Sequence, residues 1–116
     1  MLKRTLLLSI VLLSAFVGFS QLNMSLLSNL TFPSSRGDVN DIWGYADGSG
    51  NEYALVGMRD GVAIVDITIP ASPVEVFYTA GPSSTWRDLK VWQDVAYLTN
   101  ETGGGLMIID MSSLPG

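Results

Sequence analysis

The chain has no histidine and no cysteine. Ser-His-Asp and Cys-His catalysis, imidazole acid/base chemistry, and zinc sites built on histidine or thiolate therefore have no residues here to carry them. What remains is carboxylate, ammonium, guanidinium and phenol chemistry. The charged residues with the most suggestive placement are Asp41, Arg87, Asp88 and Lys90. Arg87, Asp88 and Lys90 follow Trp86, and Asp41 stands at the position equivalent to Asp88 in an earlier copy of the same pattern. A repeated acid at the start of a strand either satisfies backbone donors of a neighbouring element or lines a channel. The backbone role is the simpler reading, and these four residues are the candidate channel or interface set. No catalytic, cofactor-binding or metal-binding residue is assigned.

Several further groups have residue types that could serve as sites. Asp47-Gly48-Ser49-Gly50-Asn51-Glu52 gathers oxygen ligands in a glycine-rich stretch. Calcium takes six to eight oxygens, commonly from acids spaced along a longer loop, so this stretch reads as a hairpin turn. Asp66 and Asp110 end two matching apolar strands, where each would accept N–H donors of the following turn at Thr68 or Ser112. Trp43, Trp86 and Trp92 suit a carbohydrate platform, but packing as wedges between sheets is the default for so large an apolar side chain. Arg36-Gly37-Asp38 reads as a chance match, and the three Asn-X-Ser/Thr triplets at Asn23, Asn29 and Asn100 would matter only in a eukaryotic secretory route.

The elements that must hold these residues follow from a near-duplication. Gly61-Val62-Ala63-Ile64-Val65-Asp66-Ile67 returns 44 residues later as Gly105-Leu106-Met107-Ile108-Ile109-Asp110-Met111, with Tyr53 opposite Tyr97. Upstream, Asn40-Asp41-Ile42-Trp43 returns as Arg87-Asp88-Leu89-Lys90, offset by 47. A period of this length made of short apolar strands is the signature of stacked sheet repeats, most naturally a β-propeller. In the first cycle, strands are predicted over 41–45, 52–58, 62–68 and 74–79. In the second they fall over 86–92, 95–100 and 106–111. Val62 to Thr68 is apolar on both faces apart from Asp66, which predicts a central, buried strand, and its counterpart 106–111 inherits that expectation. The alternation over 74–79 predicts an outer strand with one wetter face. Asp60-Gly61 marks a tight hairpin, and the shorter Gln93-Asp94 turn accounts for the change of offset from 47 to 44.

The N-terminus carries a second pattern. Lys3 and Arg4 precede an apolar run from Leu6 to Phe19, and Gly18-Phe19-Ser20 supplies small residues at a cleavage site. This predicts a secretory signal helix over residues 1–20, removed after Ser20. The run is shorter than the roughly 20 apolar residues of a membrane span. Loss of Lys3 and Arg4 leaves four basic against eleven acidic residues, a net charge of −7. Nucleic acid and anionic lipid surfaces are therefore poor partners. Residues 21–37, with leucines at 22, 26, 27 and 30, read as a linker and entry segment whose leucines cover a propeller edge.

These strings resemble the LVIVD repeat and, with Trp86-Arg87-Asp88-Leu89-Lys90-Val91 and Tyr97-Leu98-Thr99-Asn100-Glu101, the choice-of-anchor B family of bacterial surface proteins. The resemblance covers about residues 38–116. It implies an all-β chain of four-stranded antiparallel propeller blades, about one and three-quarter of them, in a domain expected to continue further. It also implies a secreted or cell-surface location. The function it suggests is a non-enzymatic interaction module that binds a protein or glycan partner and needs no cofactor. The alternative is the N-terminal part of a secreted propeller hydrolase or lyase whose catalytic residues lie on further blades.

Overall fold

The computed structural model describes residues 24–115. The expected signal segment, residues 1–20, lies outside them. Seven strands follow one 3-10 turn at Ser34–Arg36: β1 (Val39–Ala46), β2 (Glu52–Met58), β3 (Gly61–Asp66), β4 (Val74–Ala80), β5 (Arg87–Trp92), β6 (Val95–Asn100) and β7 (Met107–Asp110). They form two antiparallel sheets in simple sequential order, β1-β2-β3-β4 and β5-β6-β7. Alternating apolar strands joined by short turns can pair only with their chain neighbours at this spacing, so each sheet is a meander.

The two sheets pack face to face. Side chains alternate across a strand, so each sheet has two distinct surfaces. The first sheet offers Tyr53, Leu55, Val62 and Ile64, all nearly inaccessible, and the second offers Leu89, Ala96 and Leu98. Met111, just beyond β7, closes the same cluster. Burial of these side chains, each contributing about 1.5–3 kcal/mol when fully enclosed, is the main force joining the sheets. β3 is buried on both faces, as its composition predicted. β7, expected to be equally buried, is not: Ile108 is 60% exposed and Leu106 just before it 52%. No fourth strand flanks β7 and no further sheet covers it among the described residues, so only its inner side is sheltered.

The strand pairing corrects the register read from sequence. Asp41 faces Gly57 and Asp88 faces Thr99, so β2 and β6 correspond at an offset of 42. Leu55 faces Ile64 and Tyr97 faces Ile108, which returns the offset to 44 in β3 and β7. Tyr53 is therefore equivalent to Val95, and Tyr97 takes the place of Leu55. The first hairpin is effectively five residues shorter in the second repeat and the second hairpin two residues longer. The net change of three is not the work of the Gln93-Asp94 turn alone. β4 also departs from simple alternation, because a bulge between Ile64 and Val65 slips its pairing. An extra residue in one strand breaks the period of two that the sequence suggested.

Residues 24–33 have no regular structure. Leu26 and Leu27 stay exposed, whereas Leu30 and Phe32 lie beside Ala54, Val56, Val65 and Ile67 on the outer face of the first sheet. The segment is tied there at both ends. Ser28 Oγ donates to the Pro70 carbonyl at 2.7 Å. Arg36 pairs with Glu75 and sits 3.7 Å over the Tyr78 ring. Of the leucines among the described residues of this stretch, only Leu30 approaches the sheet, and it stays 36% exposed.

Gly61, which opens β3, is required for space and not for a positive φ, since its backbone is ordinary. A Cβ there would meet the Thr79 carbonyl oxygen at 2.3 Å and the Tyr78 hydroxyl at 2.8 Å. Gly48, in the β1–β2 turn, has open space around it and no positive φ. Gly61→Ala is expected to lower stability by about 1–3 kcal/mol through overpacking. Gly48→Ala should stay within about 0.5 kcal/mol of the parent. Urea unfolding of both variants checks the contrast.

Candidate functional site

The charged residues singled out from sequence converge where β1 and β5 begin. Asp41, Arg87 and Asp88 line one cavity of about 450 Å³ together with Asn40, Trp86, Asn100 and others at the end of β6. Lys90 lies outside its lining. The cavity sits between the two sheets at the end where β1 and β5 start and β6 finishes.

Two of these residues are held by main chain of the opposite sheet. Asp41 Oδ2 accepts the Leu89 N–H at 2.8 Å, a bond from the first sheet to the free edge of β5. Arg87 reaches in the reverse direction. Its Nε donates to the Met58 carbonyl at 3.1 Å, and one terminal nitrogen donates to the Pro82 carbonyl at 2.8 Å and more weakly to that of Arg59. Arg87 is only 4% exposed, and burial lowers its pKa from the ordinary arginine range. A guanidinium remains charged under such a shift, so these carbonyls are what make its enclosure tolerable. Asp88 and Lys90 are different. They form an exposed ion pair at 2.8 Å, and Lys90 Nζ also lies 4.4 Å over the Trp43 ring.

Two of the three tryptophans, Trp86 and Trp92, are not packed between the two sheets. Trp86 is 69% exposed and Trp92 70%. Trp86 stands at the mouth of the cavity and also borders a smaller pocket of about 230 Å³ with Asp38, Asn40 and Thr85. Its backbone is fixed, because the buried Ser84 donates its hydroxyl to the Trp86 carbonyl at 2.7 Å and its own N–H to Arg59. Asn40, which falls in the bulge of β1, donates to the Ser84 carbonyl at 3.2 Å. Its enclosed Oδ1 finds no donor among the described residues. The arrangement is an exposed indole on a pinned loop, ringed by amide and carboxylate groups. Sequence reasoning weighed Trp86 only as one of three platform tryptophans and missed Asn40 and Asn100. The available signal was that Asn40 occupies the position equivalent to Arg87, next to the repeated acid.

The other acids are occupied by turns. Asp66 Oδ1 accepts the Thr68 N–H and Asp110 Oδ1 the Ser112 N–H, both at 2.9 Å, as their matching strand-end positions suggested. The Ser112 N–H lowers the pKa of Asp110. Asp47 accepts the Asn51 side-chain amide at 2.7 Å and the N–H groups of Ser49 and Asn51, which holds its pKa below the usual carboxylate range. Among the described residues no three acids come together as a metal cluster. A further link joins the sheets at their opposite end, where the Tyr45 hydroxyl donates to Asp94 Oδ1 at 2.7 Å. That bond, followed by burial, pushes the Tyr45 phenol up to about 12.

The family model of the LVIVD repeat matches residues 36–80. The match begins at the last residue of the 3-10 turn and spans the whole first sheet, so one repeat corresponds to one four-stranded sheet. No curated protein and no solved structure matches the chain.

Arg87→Met keeps the apolar stem and leaves the carbonyls of Met58 and Pro82 without their donor. A loss of about 3 kcal/mol in urea unfolding is expected, with only partial recovery in Arg87→Lys, which lacks the planar fork. At the other end, Tyr45→Phe should cost about 1 kcal/mol, the low end for a bond to a charged acceptor because the pair is exposed. The sign of its pH dependence follows from the raised pKa. The protonated phenol contributes fully below pH 10 and its contribution disappears as pH rises through about 12. Stability measured from pH 9 to 12 should therefore fall more steeply in the parent than in Tyr45→Phe.

Proposed function

We propose that this chain is part of a secreted or cell-surface β-propeller-like repeat protein of the choice-of-anchor B type, acting as a non-enzymatic interaction module. The observation that carries this reading is the use of the enclosed charges. Asp41 and Arg87, the acid and base held deepest in the strand-end cavity, are both bonded to main chain of the opposing sheet. Groups held in this way position a surface; they are not free to exchange protons with a substrate. The repeat match supports the stacked-sheet architecture, and propeller-like stacks present loop-rich ends suited to recognition.

The contact region on this reading is the cavity mouth around Trp86. An exposed indole beside amides and carboxylates is the chemistry that stacks on the apolar face of a sugar while hydrogen-bonding its hydroxyls. A cell-surface glycan is the favoured partner, and the net negative charge speaks against anionic polymers.

Two measurements test the proposal. The full chain, expressed in a bacterial host, should appear outside the cytoplasm with Gln21 as its N-terminus; retention of residues 1–20 in the extracted protein would contradict the secretory part. The exported protein should bind glycans on an array, and Trp86→Ala should weaken that binding at least tenfold while the melting temperature moves by about 1 °C or less, as for an exposed side chain. Equal binding by parent and Trp86→Ala would remove the cavity mouth as the contact region.

A further inference from the structure

The corrected register relates the two sheets residue by residue. The surface by which the first sheet holds the second includes Asp41, Tyr45, Leu55, Val62 and Ile64. Their equivalents in the second sheet are Asp88, Trp92, Tyr97, Leu106 and Ile108, which all lie on its outward side. The apolar members are conspicuously uncovered, with Trp92 70%, Ile108 60% and Leu106 52% exposed. Conversely, the surface by which the second sheet is held, Leu89, Ala96, Leu98 and Ile109, is equivalent to Ile42, Ala54, Val56 and Val65 on the outer face of the first. Every sheet of this design thus has a holding face, marked by an acid, and a held face, marked by a small or branched apolar set.

We infer that the outward face of the β5–β7 sheet docks a third sheet of the same design, and that Asp88 is the acceptor for the backbone N–H at the start of that sheet's first strand. This rests on the stacked-sheet reading and specifies which residue fixes the register. Three observations point to this occupant. The face repeats, position for position, one that already binds the β5–β7 sheet. Asp88 is the counterpart of the acid that takes the Leu89 N–H, and among the described residues its carboxylate has only the exposed Lys90 ammonium. The held face of the first sheet is meanwhile partly covered by Leu30 and Phe32, with Ser28 and Arg36 fastening the segment, while Ile42 stays 65% exposed. A second copy of the chain offers a held face obstructed by that segment. A further sheet of the same design brings an open one.

The test extends the full chain in register with its own sequence. Residues 73–86 followed by residues 40–80 are appended after Gly116, so that a copy of Ile42 takes the place relative to Asp88 that Leu89 takes relative to Asp41. The extended protein is expected to be monomeric and to melt higher than the parent. Asp88→Ala should then lower the melting temperature of the extended protein by about 3–6 °C, the shift for one lost charge-assisted hydrogen bond. It should leave the parent within about 1 °C, since an exposed ion pair contributes little. Ile108→Asp serves as the second variant and should lower the melting temperature of the extended protein far more than that of the parent. If Ile108→Asp separates the two proteins and Asp88→Ala does not, the sheets stack but the role of Asp88 is overturned. If neither variant separates them, the stacked-sheet reading fails as well. If the parent dimerises, Ile108→Asp makes it monomeric, and the extended chain still dimerises, a second copy is the occupant and the proposal is overturned.

Discussion

The exchange of main-chain hydrogen bonds between the first sheet and strand β5 is the constraint on which the rest of the molecule depends. Asp41 takes a donor from β5, and Arg87, two residues before that donor, gives its own donors to the end of β2 and the loop after β4. The apolar contact among Tyr53, Leu55, Leu89 and Leu98 supplies the larger share of cohesion, but it is non-directional and would tolerate sliding. A carboxylate and a guanidinium aimed at particular backbone atoms do not tolerate it. Sliding β5 by one residue would strand the carboxylate and leave a buried guanidinium without acceptors, a penalty of several kcal/mol. The cavity at this end, the pinned loop bearing Trp86, and the buried Ser84 that joins Arg59, Asn40 and Trp86 all follow from that fixed approach.

The same clamp explains how two repeats with different loops keep one geometry. Shortening the first hairpin by five residues and lengthening the second by two moves both turns, which lie at the ends of the sheet and away from its packed middle. The residues that meet across the sheet interface keep their parity, because each net change at a hairpin is absorbed before the next strand begins. Ile64 and Ile108, Asp66 and Asp110 remain true equivalents, and the Asp-to-backbone turn after β3 recurs after β7. In the second hairpin the replacement of Arg59-Asp60 by a longer stretch brings three consecutive glycines with positive φ, Gly103, Gly104 and Gly105. Such a run lets a longer connection double back without Cβ clashes.

Much of the fold was legible because strand patterning and turn chemistry are local. β2 and β6 fall on the predicted residues, and β3 was recognised as the buried centre from its lack of a polar face. The Asp66 and Asp110 turns were readable for the same reason, since the donor lies two residues away along the chain. What local patterning could not convey was anything set by the approach of distant segments. The bulge in β4, the exposure of Ile108, and the packing of Leu30 and Phe32 on a sheet face depend on neighbours far along the chain. The candidate site divides along the same line. Its repeated acid was visible as a repeat, whereas the exposure of Trp86 and the engagement of Arg87 required knowing which sheet end faced which. The exposure of Trp86 and Trp92 was not foreseen because size alone argues for burial, and size says nothing about whether a covering element is present.

The two outer surfaces of the pair of sheets are not alike. On the first sheet, the held face is partly covered by residues 28–36, fixed by one hydrogen bond to Pro70 and by the Arg36 contacts with Glu75 and Tyr78. Irregular chain laid on an apolar sheet surface removes part of it from water without a further sheet. On the second sheet, the acid-marked face has no such cover among the described residues and keeps the apolar set of the interior interface. The asymmetry lies in how each surface is sheltered, by a polar-anchored segment on one side and by nothing among the described residues on the side that carries Asp88.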